Sequence, residues 1–305
     1  MIGEWKAVLA ANARQWNLPS EGRWKFFVHN NYQPNYSGIN IFWFHNEGRD
    51  PLVVTKIFPE SSLAKQEFQN LTDAHGCASG EVPKPYGLLE HRQSWSLWMS
   101  GVSGSPLTLE LLSDSLIDRL GDTLVTIQKG VASKRSARPS RHRESICAPL
   151  ELAVERSSAI AEGCRRTLGA YTNGTLDRIP VLPQHGDLYS KNLIIGQDGK
   201  WGIVDWELFG NIDLPFYDVM RFLFSLDTER APDRWNVAVQ RYARRLIARY
   251  TDGLQIQRRE LAFLLPVLLA NWHYRQPLPE GKAFALGVLE DYFTRTAEWE
   301  RTLLT

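Results

Sequence analysis

Between Arg23 and Val102, short apolar runs alternate with polar positions: Trp24–Val28, Ile39–Phe44, Leu52–Phe58, Pro85–Glu90 and Trp95–Met99. They are rich in β-branched and aromatic residues and separated by turn residues, which predicts strands. One interval follows a different period. Ala64, Phe68 and Leu71 recur at i, i+4 and i+7 after Pro59 and the candidate caps Ser61 and Ser62, and the run stops near Gly76. That predicts one helix inside the strand series, giving three strands, a helix and two strands. Past Gly104 the apolar spacing changes to three and four. Helices are predicted over Leu107–Val131, Glu151–Tyr171, Leu214–Leu226, Asp233–Tyr250, Arg259–Arg275 and Gly281–Leu304. Between the first two lies Ser133–Glu144, a basic stretch with Ser and Pro, expected as a solvated, mobile connection. The expected fold class is α+β: a small antiparallel-sheet lobe with one helix (residues 1–101), then a larger helical lobe (residues 102–305), with a cleft between them.

Composition narrows the class. With 305 residues and 43% apolar content, the chain can bury a large core without external staples. A formal charge of +1 gives no global reason to expect nucleic acid or a membrane surface as partner. Cys77, Cys147 and Cys164 show no C-x-x-C spacing, so neither a disulfide framework nor a zinc knuckle is expected, and a reducing cytoplasmic setting follows. Residues Met1–Asn12 lack the basic-then-apolar layout of a signal peptide. The apolar stretch Leu261–Trp272 reaches about half of the roughly 20 residues a membrane span needs, so it reads as a buried helix.

The chemistry concentrates in His185-Gly186-Asp187-Leu188-Tyr189-Ser190-Lys191-Asn192 and in Asp205 of Ile203-Val204-Asp205-Trp206-Glu207. Leu193–Ile195 and Trp201–Val204, joined by Gly196–Lys200 with its Asp-Gly pair, read as a hairpin. Asn192 precedes its first strand and Asp205 ends its second, so antiparallel pairing is expected to turn an amide and a carboxylate toward one metal-sized space. Oxygen donors without a His-Cys cluster suit magnesium better than zinc. Asp187 is the candidate base that accepts or orients the proton of an attacking hydroxyl. Each residue alone would commonly cap a loop; together they describe a phosphoryl-transfer site.

These residues resemble the catalytic and metal-binding loops of the aminoglycoside phosphotransferase and choline kinase superfamily, small-molecule kinases with a protein-kinase-like two-lobe fold. The resemblance spans about Trp24 to Phe224. It implies Asp187 as catalytic base, Asn192 and Asp205 as magnesium ligands, and ATP as phosphoryl donor, with GTP left open. Val53-Val54-Thr55-Lys56-Ile57 puts a lysine where the kinase pattern V-A-I-K places its phosphate ligand, and Glu67, eleven residues on, is its candidate ion partner. Asn30–Gly38, with donors at Ser37 and Gly38, is the candidate loop over the phosphates, although it has one glycine where the protein-kinase loop has three and a plain hairpin turn is an equally good reading. Met99-Ser100-Gly101-Val102 occupies the hinge position that reads the adenine edge, with Met99, Ser100 and Val102 as candidates. Asp218 is expected to steady the catalytic loop, and His185 to hold it.

The acceptor is less legible. No Ala-Pro-Glu element follows Asp205, and Tyr189 stands where protein kinases place a lysine, so a small-molecule hydroxyl is favoured over a protein. Acidic and basic residues roughly balance from Trp206 onward, which gives a polycationic aminoglycoside little attraction. Choline or ethanolamine would need an aromatic box, for which Trp235, Trp272, His273 and Tyr274 are candidate walls, although helix packing explains them better. A sugar or polyol is the broad default. A nucleotide-binding pseudokinase scaffold is the non-enzymatic alternative. Nucleic-acid binding through Ser133–Glu144 finds no matching basic surface elsewhere. Oligomeric state is not encoded legibly.

Overall fold

The computed structural model describes residues 2–33, 36–91, 94–135, 139–174, 179–227 and 229–304. The chain forms two compact units, one from Met1–Ser105 with Ile194–Glu207, the other from Pro106–Leu193 with Leu208–Thr305.

In the first unit, helix α1 (Ile2–Asn12) precedes strands β1 (Trp24–Gln33), β2 (Tyr36–His45) and β3 (Val53–Phe58), helix α2 (Ser61–His75), and strands β4 (Pro85–His91) and β5 (Ser94–Ser100). The strands form one antiparallel sheet in the order β1-β2-β3-β5-β4. The period of two sorts β3 between the faces. Val53 and Thr55 join Ile41, Trp43 and Trp98 on one side, where the Trp43 indole donates to Thr55 Oγ1 at 2.9 Å. Lys56, opposite Leu97, lies on the other. Helix α1, which the sequence reading does not anticipate, brings Trp5 and Leu9 onto the first face, and Trp16 packs at a tilt against Trp98 at 5.2 Å between centroids. Its eleven residues are too few to hold a helix alone, so the tryptophan cluster it covers decides its existence. Each such side chain contributes about 1.5–3 kcal/mol when fully buried.

Strands β1 and β2 run further than expected. Asn30, Asn31 and Tyr32 pair with Ile39, Gly38 and Ser37, so most of the anticipated open loop is a continuous hairpin ladder. Pairing satisfies these backbone groups regardless of the low strand propensity of asparagine. Pro34, Asn35 and the Ser37 side chain lie outside the described residues.

The second unit holds helices α3 (Asp114–Ala132), α4 (Pro139–Arg156), α5 (Ala161–Thr172), α6 (Tyr217–Leu226), α7 (Val237–Leu254), α8 (Arg258–Arg275), α9 (Pro279–Thr294) and α10 (Thr296–Leu303). Four expectations need correction, the first being the single helix expected over Glu151–Tyr171, which is instead the end of α4 and most of α5, interrupted at residues 157–160. Helix α3 starts at Asp114, because the Ser113 hydroxyl caps it by accepting from the Leu116 amide at 3.2 Å; Leu109–Leu111 is a separate turn. The basic stretch is partly helical, since α4 begins at Pro139, a residue suited to a first helical turn; residues 136–138 lie outside the described set. The single terminal helix is two, broken at Arg295. Helix α3 packs on α7, burying Leu120 and Leu124 with Leu246 and Tyr250. Exposed Arg245–Asp118 and Arg249–Asp122 pairs run beside that seam, where each is worth only about 0–1 kcal/mol. Among the described residues, no helix is long and apolar enough to cross a membrane.

Candidate active site

In the first unit, three sequence-predicted residues come together. The Lys56 ammonium donates to Glu67 Oε1 at 2.6 Å and to Asp205 Oδ1 at 2.5 Å. Ala64, Glu67, Asn70, Leu71 and Ala74 form the buried face of α2, which places Glu67 against the sheet. Burial pushes the Glu67 carboxyl above its ordinary range and the Asp205 charge adds to this, while the Lys56 charge opposes it. Asp205 follows the hairpin strand Trp201–Ile203 and takes a left-handed φ of 71°. An aspartate tolerates that region better than most side chains. Asn70, unremarked in the sequence, donates to the Trp206 carbonyl at 3.1 Å and so ties α2 to the segment after Asp205. Its signal was a polar residue one turn from Glu67 on the buried face.

The proposed adenine-reading segment divides in two. Met99 sits in register between Val54 and Pro85, and Ser100 donates its amide to Lys84 O at 2.9 Å, so both are held inside the sheet. Val102 lies past the strand. A Cβ added to Gly202 would come within 2.9 Å of Val102 Cγ1, so this glycine permits the hairpin to approach the segment closely. Ser37 and Gly38 lie in β2 opposite Tyr32 and Asn31, and Gly38 stands two residues before Asn40, the ladder partner of Lys56.

In the second unit, the loop carrying Asp187 is held from below. The buried Asp218 carboxylate accepts from the His185 amide at 2.6 Å and the Gly186 amide at 2.9 Å. Gln128 donates to it at 3.3 Å, and the Tyr250 hydroxyl in turn donates to Gln128. Burial raises the Asp218 pKa above the usual carboxylate range, while these donors and His185 favour the charged form. Gly186 has a φ of 86°, and a Cβ there would stand 2.8 Å from the Leu208 carbonyl oxygen, so only glycine fits. Asn192 donates its amide to the Asp187 carbonyl at 2.9 Å, which leaves its side-chain oxygen as the available acceptor.

Asp187 itself accepts from Arg221 Nη2 at 2.9 Å. Arg221 escapes a reading of the motif because it stands 34 residues downstream, on α6. The one available hint was its position three after Asp218 on the same helix.

The implied magnesium can be tested against these donors. Asp205 offers a carboxylate already facing a cation, and Asn192 an amide oxygen with its nitrogen otherwise engaged. Among the described residues no group of three His, Cys, Asp or Glu side chains could form an all-protein metal cage. Taken separately, Asp205 and Asn192 are each an oxygen donor of the kind that suits magnesium, which keeps waters and substrate phosphates as its other ligands.

Solved structures similar to this chain include an ethanolamine kinase, a choline/ethanolamine kinase family protein and an aminoglycoside phosphotransferase. An ethanolamine kinase of Plasmodium vivax aligns with a TM-score of 0.58 at 12% identity, covering 90% of this chain and 84% of its own. A choline/ethanolamine kinase family protein of Mesorhizobium loti aligns at 0.54 and 14%, covering 99% and 98%. An aminoglycoside phosphotransferase in ternary complex with ADP and hygromycin B aligns at 0.52 and 14%, covering 93% and 97%. At these identities the likeness is one of fold, and it defines a kinase-like phosphotransferase architecture. The sequence profile of the phosphotransferase enzyme family matches residues 37–259, and the chain belongs to that family. It is a small-molecule phosphotransferase. No curated protein matches it in sequence.

Proposed function

We propose that this enzyme transfers the γ-phosphoryl group of ATP to a hydroxyl of a small molecule, with GTP as an alternative donor. The observation that carries the reading is the buried Lys56–Glu67 pair reaching Asp205, an arrangement suited to holding nucleotide phosphates. The ADP-bound aminoglycoside phosphotransferase among the structural relatives supports nucleotide use. In this reading Lys56, oriented by Glu67, binds phosphate oxygens. The hairpin end at Ser37 and Gly38 lies over the phosphates. Val102, following Met99 and Ser100, presents its main chain to the base.

Asp187 orients the acceptor hydroxyl and takes its proton as the oxygen bonds to the γ-phosphorus and the bond to the bridging oxygen breaks, releasing ADP. Asn192 and Asp205 would hold magnesium, which when bound neutralises phosphate charge. The Asp218–Gln128–Tyr250 network keeps the Asp187 loop in one conformation, so positioning is supplied before substrate arrives.

The test is ADP release from magnesium-ATP across a panel of sugars, polyols, amino alcohols and aminoglycosides, with Asp187→Asn beside the native chain. A general base contributes about 10²–10⁴ in rate, so the variant should lose that factor while still binding nucleotide. Nucleotide binding without phosphorylated product, unchanged by the substitution, would make the chain a scaffold.

A further inference from the structure

Arg221 does more than accompany Asp187. Its side chain is 18% exposed, with one nitrogen on Asp187 and its guanidinium 5.3 Å from the centre of the Trp272 ring. Nε is buried with no hydrogen-bond partner among the described residues. A guanidinium has five N–H donors in a planar fork, so it can hold Asp187 and still bind a second oxygen group.

Arg275 lies one turn beyond Trp272 on α8, where its guanidinium donates to Asn271 Oδ1 and to the Asn211 carbonyl. Asp218 is turned to the loop amides, and Asp187 is paired with Arg221.

The same residues remove the basis for an aromatic cage around a cation. The Trp272 face that would attract an ammonium already carries Arg221. Trp235 is buried edge-on against Phe224 and donates to the Glu229 carbonyl. His273 is buried and bonded to the Lys282 carbonyl, and of the four candidate walls Tyr274 alone is exposed.

We propose that Arg221 is a specificity-determining residue that binds an anionic oxygen group of the acceptor, so that the substrate class is a hydroxyl compound carrying a carboxylate or phosphate. This rests on the phosphotransfer reading and deepens it. A charge-assisted bond of this kind corresponds to about 10- to 100-fold in affinity.

The test uses a matched six-carbon series: sorbitol, gluconate, sorbitol 6-phosphate and glucamine. Binding to the full chain with ADP present is measured by calorimetry, separately from ADP release. Gluconate or sorbitol 6-phosphate should bind at least about tenfold tighter than sorbitol, and glucamine more weakly than sorbitol; the tighter anion tells carboxylate from phosphate. Arg221→Gln should erase the preference, and Arg221→Lys, which keeps the charge without the fork, should retain part of it. Equal binding of all four, binding of none, tighter glucamine, or a preference that survives in a folded Arg221→Gln would overturn the assignment. If Arg221→Gln fails to fold, the native series and Arg221→Lys decide alone. Charge-selective binding with no ADP release from any acceptor would sink the phosphotransfer reading while leaving the anion site standing.

Discussion

The Lys56 ammonium donates to the Glu67 carboxylate at 2.6 Å, and the two side chains are only 11% and 3% exposed. Glu67 Oε2 has no hydrogen-bond partner among the described residues, so this carboxylate depends on Lys56. Breaking a buried pair from one side costs about 3–5 kcal/mol. Lys56→Ala should therefore weaken nucleotide binding and also lower the melting temperature. The loss has a pH signature. Burial already raises Glu67 above its ordinary value of 4.5, and removing the opposing Lys56 charge raises it further. A carboxyl with a folded pKa above its unfolded one takes up a proton on folding, so stability falls as pH rises through that window. Melting curves should show Lys56→Ala closer to the native chain at about pH 5 than at about pH 8. The reverse order would mean that Glu67 is not the group left stranded.

Asp205 is the second partner of Lys56 and a proposed magnesium ligand. Asp205→Ala should abolish activity together with its magnesium dependence, read by titrating the metal at fixed ATP. Normal turnover of the variant at ordinary magnesium would remove Asp205 from the ligand set.

At Gly186, the left-handed backbone and the Leu208 carbonyl both exclude a side chain. Gly186→Ala should destabilise the chain by about 1–3 kcal/mol through backbone strain and displace Asp187. The check is denaturant unfolding paired with kcat. A variant with native stability and native turnover would show that the loop does not need this conformation.

Tyr250 donates to Gln128 and accepts from the Phe216 amide, whose residue takes a left-handed φ of 73° at the start of α6. Tyr250→Phe should cost about 1–3 kcal/mol by leaving two buried groups unsatisfied. Because Gln128 braces Asp218 beneath the loop that carries Asp187, the proposed base, kcat should fall more than KM rises. An unchanged kcat in a destabilised protein would confine the network to folding.

Much of this molecule is legible in its local pattern, because period and spacing are short-range properties of a chain. Strand alternation gives the chain order of the five sheet strands with helix α2 after the third. The interval from Asp187 to Asn192 and the hairpin that follows mark the loop, and Lys56 stands out as a charge inside an apolar strand. Where that legibility stops is equally physical. Helix α1 has little signal of its own, since it exists to cover the tryptophan cluster. The Asn30–Gly38 segment reads as a loop from its polar residues, yet cross-strand hydrogen bonds extend it as a ladder.

What the sequence by itself determined, then, was most of the strands and helices and the spacing of the Asp187–Asn192 loop, both encoded within a few residues. Tertiary structure alone decided the partners. Lys56 meets Asp205 across 149 positions, Gln128 meets Asp218 across 90, and Arg221 meets Asp187 across 34. No local periodicity carries such pairings, because they arise when separate elements bury their apolar faces and the polar side chains left between them must satisfy one another.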